Sequence, residues 1–286
     1  MSSTMNHAEL RAIAEQYHRD GFAIVRHFAT EEEVAMLKAR ARALAAELEV
    51  PAHARFATGA DSTARDRYFL DSASAIRGFF EPAAFDAQGR LKVPKERALN
   101  KIGHALHRDD EACRRWTLQP RVARLAQALG LDRPAVVQSQ FIFKPPRVGG
   151  RVDLHMDSTF LYTDPPTCTG LWLALDEATP ENGCLLAIPG SHRQPVPKRY
   201  VRAADDTLHF VSLAENEPHW QADACVPLPA RPGDLVLLHG QLIHSSAPNT
   251  SDRGRLAWVL HLIDLQARWA ADNWMARPPL LPLSEA

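Results

Sequence analysis

The stretch LHMDSTF, residues 154–160, sets a histidine and an aspartate one residue apart, and imidazole with carboxylate is a donor pair that suits a transition metal. His155 and Asp157 can share an ion only if both project to one side of the chain. The tripeptide by itself decides little. With 13 histidines in the chain, about one accidental His-x-Asp is expected at ordinary aspartate frequency. Two more occur, His18-Arg19-Asp20 and His107-Arg108-Asp109.

What separates the three is the element that carries each. On a strand, residues i and i+2 point to the same face; on a helix they diverge by about 200°. Residues 6–48 read as helical at both ends: AELRAIAEQYHRDG stops at Gly21, FAIVRHF follows as a short strand, and ATEEEVAMLKARARALAAEL starts a second helix. Thr30 with Glu33 forms a capping box, and Val34, Leu37, Ala41 and Leu44 keep helical spacing on one face. Residues 50–120 mix aromatics, prolines and charges without a sustained period until a helix near 109, the character of a lid or pocket wall. After about residue 134, short β-rich runs alternate with Pro and Gly: AVVQSQFIFK, TGLWLALD, CLLAIPG, DLVLLHG, QLIHSS and RLAWVLHLID. Such runs predict a mainly β fold with flanking helices, a sandwich or closed barrel rather than a parallel sheet.

His18 and Asp20 therefore fall at a helix end, and Asp109 reads as the N-cap of the helix DEACRRW. His155 and Asp157 fall among the strands, after the turn PPRVGG. A third ligand must come from elsewhere in the β region. His192, His209, His219, His239, His244 and His261 are the candidates, and His244 stands in a strand pattern just before polar residues suited to a pocket mouth. His239 and His261 fit equally well as core or supporting histidines.

Composition narrows the setting. The 286 residues, 45% hydrophobic and 23% charged, suffice for a substantial core. Thirty-three basic residues against 34 acidic ones give no global attraction to nucleic acid or an anionic membrane. No secretory pattern and no apolar run of membrane-spanning length is present, so a cytoplasmic location is expected. Cys113, Cys168, Cys184 and Cys225 form no C-x-x-C pair and read as free thiols.

Several ordered blocks then carry a resemblance. HMD at 155–157, GLWLALDEATPENGCLLAIPGSH at 170–192 and RPGDLVLLHGQLIHSSAPNTSDRGR at 231–255 resemble the signature blocks of the phytanoyl-CoA dioxygenase family. DGFAIVRHFATEEEVAMLKAR, FFEPAAFD and ALNKIGHALH extend the likeness over nearly the whole chain, toward the domain-containing subgroup rather than the peroxisomal enzyme. The resemblance implies a double-stranded β-helix, a jelly roll of cupin type, in one domain over 1–286. Helical and lid elements would occupy 1–133, the β-helix core 134–265 and a C-terminal tail 266–286, with lid segments at 55–100 and 193–225.

It further implies ferrous iron held by His155, Asp157 and His244, with 2-oxoglutarate as cosubstrate and O2 as oxidant. Two imidazoles and one carboxylate on one face of an octahedral ion leave three open positions, and the presence of Asp157 favours hydroxylation or a related oxidation over halogenation. The cosubstrate's distal carboxylate needs neutralising in an apolar pocket, and a guanidinium fork suits it. Arg255, eleven residues after His244, matches that position in the family; Arg253 is the rival, in the polar turn NTSDRG. Lys101, Trp172 and Ser246 match cosubstrate contacts of the subgroup, and Gln140 is a further pocket-facing position. Asn182-Gly183 and PGSH are family hallmarks that turn geometry already explains.

Other classes remain open at this point. A zinc hydrolase can use two histidines and a carboxylate, though it has no need of Arg255 or Lys101; a non-catalytic 2-oxoglutarate sensor is the other. The expected partner is a small organic substrate of unidentified structure, with neither nucleic acid nor membrane, and oligomeric state is not encoded legibly. No basic cluster makes a convincing site for coenzyme A phosphates: Arg193, Lys198, Arg199 and Arg202 are suggestive but such runs are usually solvated, and Lys144, Arg147 and Arg151 are equally ambiguous.

Overall fold

Two helices open the chain because their ends are chemically specified. In α1 (His7–Asp20), the Asn6 side chain accepts from the amides of Ala8 and Glu9 while Glu9 returns a bond to the Asn6 amide, and Gly21 closes the helix in the left-handed conformation. In α2 (Glu31–Glu47), Thr30 and Glu33 form the expected box, and Val34, Leu37, Ala41, Leu44 and Ala45 are buried. The computed structural model describes residues 5–56, 67–215, 219–276 and 278–284. The proposed lid segments run across residues 57–66 and 216–218, which lie outside the described residues.

In chain order the strands are β1 (Phe22–Val25), β2 (Ile76–Phe80), β3 (Leu99–His104), β4 (Pro134–Lys144), β5 (Val152–His155), β6 (Thr163–Asp164), β7 (Thr169–Ala174) and β8 (Leu185–Ala187). They continue with β9 (Lys198–Arg202), β10 (Leu208–Ser212), β11 (Val226–Leu228), β12 (Leu235–His239), β13 (His244–Ser246), β14 (Arg255–Asp264), β15 (Arg268–Trp269) and β16 (Leu281–Pro282). The shorter helices are α3 (Arg67–Asp71), α4 (Leu106–Asp109), α5 (Glu111–Thr117) and α6 (Pro120–Ala128). A large antiparallel sheet runs β1-β12-β7-β14-β4-β3-β2, with β16 added to β4; a small one runs β11-β8-β13-β5. The mainly β jelly roll with flanking helices is thus the fold observed.

The large sheet packs apolar residues on both faces, with polar side chains of β3, β4 and β14 added on the cavity side, and its period-2 alternation sorts the residues. Leu171, Leu173, Leu235, Leu237, Trp258 and Leu260 pack on one side with Leu37 and Leu44 of α2 and Val122 and Leu125 of α6. Trp172, Val236, Leu238, Ala257 and Val259 pack on the other side with Leu185 and Ala187 of the small sheet. Helices cover one face, and the small sheet faces the other across the cavity that holds the site.

Three features depart from the sequence reading. The segment before residue 134 supplies more strands than the short one read in FAIVRHF, which pairs as β1 with β12: β2 and β3 extend the large sheet from β4. The segment after residue 266 is tied in, since Arg268–Trp269 pairs with β6 and Leu281 with Val136. The N-cap of α5 is Asp110, whose side chain accepts from the Cys113 amide; Asp109 instead ends α4 beside Arg108. Two adjacent aspartates made that boundary ambiguous by one residue.

Candidate metal centre and cosubstrate pocket

β5 and β13 lie antiparallel at the rim of the small sheet, and their register sets His155 directly opposite His244. Asp157 follows at the first position of a 3-10 turn. One donor atom from each of the three side chains lies within 4.8 Å of the others, and they form the only such group among the described residues. Asp157 Oδ1 is 3.7 Å from His155 Nε2 and 3.8 Å from His244 Nε2. The far ring nitrogens are anchored: His155 Nδ1 donates to the Asp153 carbonyl at 2.8 Å and His244 Nδ1 to the Leu242 carbonyl at 3.0 Å. With those protons fixed on Nδ1, each Nε2 presents its lone pair to the centre, the arrangement a metal ligand requires.

Electrostatics agree with that assignment of charge. Burial opposes ionisation of Asp157, but His261, His244 and His155 outweigh it and hold the carboxyl well below its usual range. Burial, and then the neighbouring His244, push His155 down to about 4, so its imidazole is neutral at pH 7. His261 stands behind the centre, its Nε2 3.4 Å from Asp157 Oδ2. The sequence left its role open; the structure places it against the carboxylate.

All eight residues singled out from the sequence, Lys101, Gln140, His155, Asp157, Trp172, His244, Ser246 and Arg255, line one cavity of about 550 Å³, within the usual size of small-molecule sites. Arg255 opens β14 and is 3% exposed. One Nη donates to the Gly183 carbonyl, while Nε and the other Nη are buried without a hydrogen-bond partner. The guanidinium carbon is 5.2 Å from the centre of the Trp172 ring. Burial pushes Arg255 down to about 10, which leaves it charged at neutral pH. A buried guanidinium with idle donors facing a cavity is matched by an anionic ligand group. Arg253 is exposed and pairs with Glu177.

Ser246 Oγ accepts a hydrogen bond from Lys144, and Lys101 Nζ lies 3.4 Å from the Phe56 ring centre. Gln140 Nε2 reaches Gln138, and its carbonyl oxygen is buried without a partner. The other half of the cavity is aromatic. Phe160 lies 6.1 Å from His155, ring to ring, and packs at 5.6 Å on Tyr200, which packs at 4.9 Å on Phe210. Phe69 and Trp274 form a second wall.

The remaining histidine candidates stand apart. His192 hydrogen-bonds the His18 carbonyl, His239 packs on Tyr17 and His192, and His209 and His219 are exposed. The basic groups disperse as well: Arg147 pairs with Asp252, Arg199 with Asp272 and Arg202 with Asp206. Lys198 does reach the cavity wall, over Phe210. Lys144 is internal, 2% exposed, and not part of a phosphate-binding surface. The sequence holds a signal for it: Gln138, Gln140, Ile142 and Lys144 alternate along β4 and all line the cavity. Glu81 and Asn100 also line it and were not anticipated.

Known proteins bear on this geometry in two ways. Among solved structures, the α-ketoglutarate-dependent epimerase SnoN of nogalamycin biosynthesis is similar at 22% identity and a TM-score of 0.65, over 92% of this chain and 86% of that one. EctD from S. alaskensis, solved with 2-oxoglutarate and 5-hydroxyectoine, is similar at 21% identity and a TM-score of 0.61, over 94% and 79%. These likenesses establish the fold. By sequence, phytanoyl-CoA dioxygenase domain-containing protein 1 of Mus musculus is 42% identical over 93% of this chain and 94% of its own length. A phytanoyl-CoA dioxygenase of Arabidopsis thaliana is 38% identical over 91% of each. The phytanoyl-CoA dioxygenase family model matches residues 17–257. The chain belongs to the phytanoyl-CoA dioxygenase family.

Proposed function

We propose that this protein is an iron- and 2-oxoglutarate-dependent dioxygenase, working as one domain, that hydroxylates or otherwise oxidises a small organic substrate. The observation that carries the reading is the pairing of two features in one cavity: a His-Asp-His donor set and, apart from it, the buried guanidinium of Arg255 with idle donors. A hydrolytic zinc site needs the first and not the second.

In this reading His155, Asp157 and His244 hold ferrous iron, which supplies activation of O2 and oxidative decarboxylation of 2-oxoglutarate to succinate and CO2. Arg255 receives the distal carboxylate of 2-oxoglutarate, with Ser246 beside it, and Trp172 packs on the guanidinium. Lys101 and Gln140 border the same volume. His261 holds Asp157 in place from behind. The aromatic wall of Phe160, Tyr200 and Phe210 adjoins His155 and seats an apolar portion of the substrate, excluding water from the side where it is oxidised.

Succinate formation by anaerobically iron-loaded protein after exposure to oxygen tests this, with a panel of small acids, amino acids and acyl-CoAs as stimulants. Succinate in the wild type and none in Asp157→Ala is the expected result. Binding of iron and 2-oxoglutarate without succinate under any condition would point to a sensor, and hydrolysis by a zinc-loaded form to the hydrolase.

A further inference from the structure

We propose that Lys144 is a positioning residue for the cosubstrate: its ammonium turns the Ser246 hydroxyl into a donor aimed at the carboxylate that Arg255 receives. The inference rests on the reading above that 2-oxoglutarate anchors at Arg255. Lys144 ends β4 directly opposite Arg255 in the ladder. Its Nζ donates to the Gly150 carbonyl at 2.9 Å, Ser246 Oγ at 2.7 Å and the Ala247 carbonyl at 2.6 Å.

The side chain reaches those acceptors through a slot that two glycines keep open. A Cβ on Gly149 would stand 2.4 Å from Lys144 Cγ, and one on Gly183 would stand 2.5 Å from Lys144 Cδ. Both distances are too short for any other residue without displacing the lysine stem. Gly183 serves the turn through its positive φ and is also needed for Lys144 to pass.

Proton counting gives the consequence. An ammonium has three protons and accepts nothing, and here it meets three acceptors. Ser246 Oγ is one of them, so the hydroxyl must send its own proton elsewhere. Ser246 is buried and lines the same cavity as the idle Nε and Nη of Arg255. Together they offer donors only, which suits a carboxylate. A neutral amine reverses the pattern: its two protons satisfy the Gly150 and Ala247 carbonyls, and its lone pair takes the Ser246 proton away from the cavity.

Both forms are accessible near neutral pH. Burial pushes Lys144 down to about 7; Arg255 and Arg151 act in the same direction, and Glu81 and Cys184 against it. Glu81, buried and itself raised by desolvation, also faces Lys101. A carboxylate arriving at Arg255 favours the ammonium form, so binding takes up a proton above pH 7 and affinity falls as pH rises.

Calorimetric titration of 2-oxoglutarate into the manganese-loaded protein, in two buffers of different ionisation heat at pH 6 and pH 8, reads this directly. The wild type should take up close to one proton at pH 8, about the full occupancy expected one unit above the free group's midpoint, and far less at pH 6. Lys144→Met should bind 2-oxoglutarate at least about tenfold more weakly, without proton uptake and with unchanged manganese affinity. Ser246→Ala, which leaves Lys144 in its slot, should lose a similar factor, and the double variant no more than either alone. Wild-type binding with no buffer-dependent heat at pH 8 overturns the proposal, as does tight binding by Lys144→Met. If Lys144→Met does not fold, the wild-type heats and Ser246→Ala still decide. Failure of the wild type to bind 2-oxoglutarate at all would instead remove the reading on which the proposal stands.

Discussion

His107-Arg108-Asp109 and His155-Met156-Asp157 share one pattern and have opposite surroundings. His107 is fully buried, with Nδ1 at 2.7 Å from Ser139 Oγ and Nε2 at 2.5 Å from the Pro279 carbonyl. Both ring nitrogens are used inside the fold, and Asp109 turns outward to Arg108. At the other site each histidine spends one nitrogen on the backbone and turns the second toward Asp157. Idle polar atoms line the same cavity, on Gln140 and Arg255. Buried polar groups are ordinarily all paired, so a cavity where they remain idle is arranged for something other than the fold. A satisfied cluster stabilises the protein, and an unsatisfied one binds.

Arg255→Gln gives the comparison its hardest test. Removing one partner of a buried charge pair costs about 2–5 kcal/mol of binding, so 2-oxoglutarate affinity should fall by roughly 30-fold to several thousandfold. Without ligand, a buried and only partly bonded charge has been removed, and the melting temperature should hold or rise. Lost thermal stability together with unchanged 2-oxoglutarate affinity would make Arg255 a structural residue and erase the contrast.

The satisfied cluster should show the reverse, through pH. Burial pushes His107 down to about 4, against an ordinary value near 6.5 in the unfolded chain. Between those two values the unfolded state binds the extra proton, so stability falls as pH drops from about 6.5 to 4 and levels off below. The shift corresponds to about 3 kcal/mol. Urea unfolding of the wild type and His107→Gln from pH 7 to pH 4 should show the variant less stable at pH 7 but with a shallower decline, its affinity for 2-oxoglutarate unchanged. An equally steep decline would assign acid sensitivity elsewhere.

What the sequence made legible follows from how locally each feature is specified. The Thr30 box, the Gly21 stop and the short apolar runs bounded by Pro and Gly that form β4, β7, β12 and β14 are short-range rules, and each stands where the pattern placed it. His155 and Asp157, read as neighbours on one strand face, do meet in the donor cluster, although Asp157 stands in the turn just past the end of β5, and the family blocks brought His244 and Arg255 to the same cavity. β2 and β3 escaped notice because IRGFF and LNKIGH are brief and lie among turns, and only pairing with β4 makes them a sheet. Lys144 escaped for a different reason. A lysine before two prolines reads as surface; alternation along β4 sets it on the face of Gln138 and Gln140, but nothing local indicates that Gly149 and Gly183 open a path for it inward.

The smallest effect comes from the helical half, where a fully satisfied carboxylate can be removed far from the cavity. Asp110 Oδ1 caps α5 at the Cys113 amide, 3.0 Å away, and Oδ2 meets Arg40 of α2 at 2.6 Å. Burial raises its pKa, but those partners outweigh burial and hold it below the usual range. Its contribution is therefore present at neutral pH and lost as the carboxyl protonates in acid. Asp110→Ala should cost about 1–2 kcal/mol at pH 7, the upper half of the range for an N-cap, because the Arg40 contact is lost with it. Chemical denaturation at pH 7 measures the loss, and 2-oxoglutarate titration of the same variant should match the wild type. Weakened binding there would mean that the helical layer sets the geometry of the cavity, and that the division between satisfied and idle clusters is less clean than their hydrogen bonds indicate.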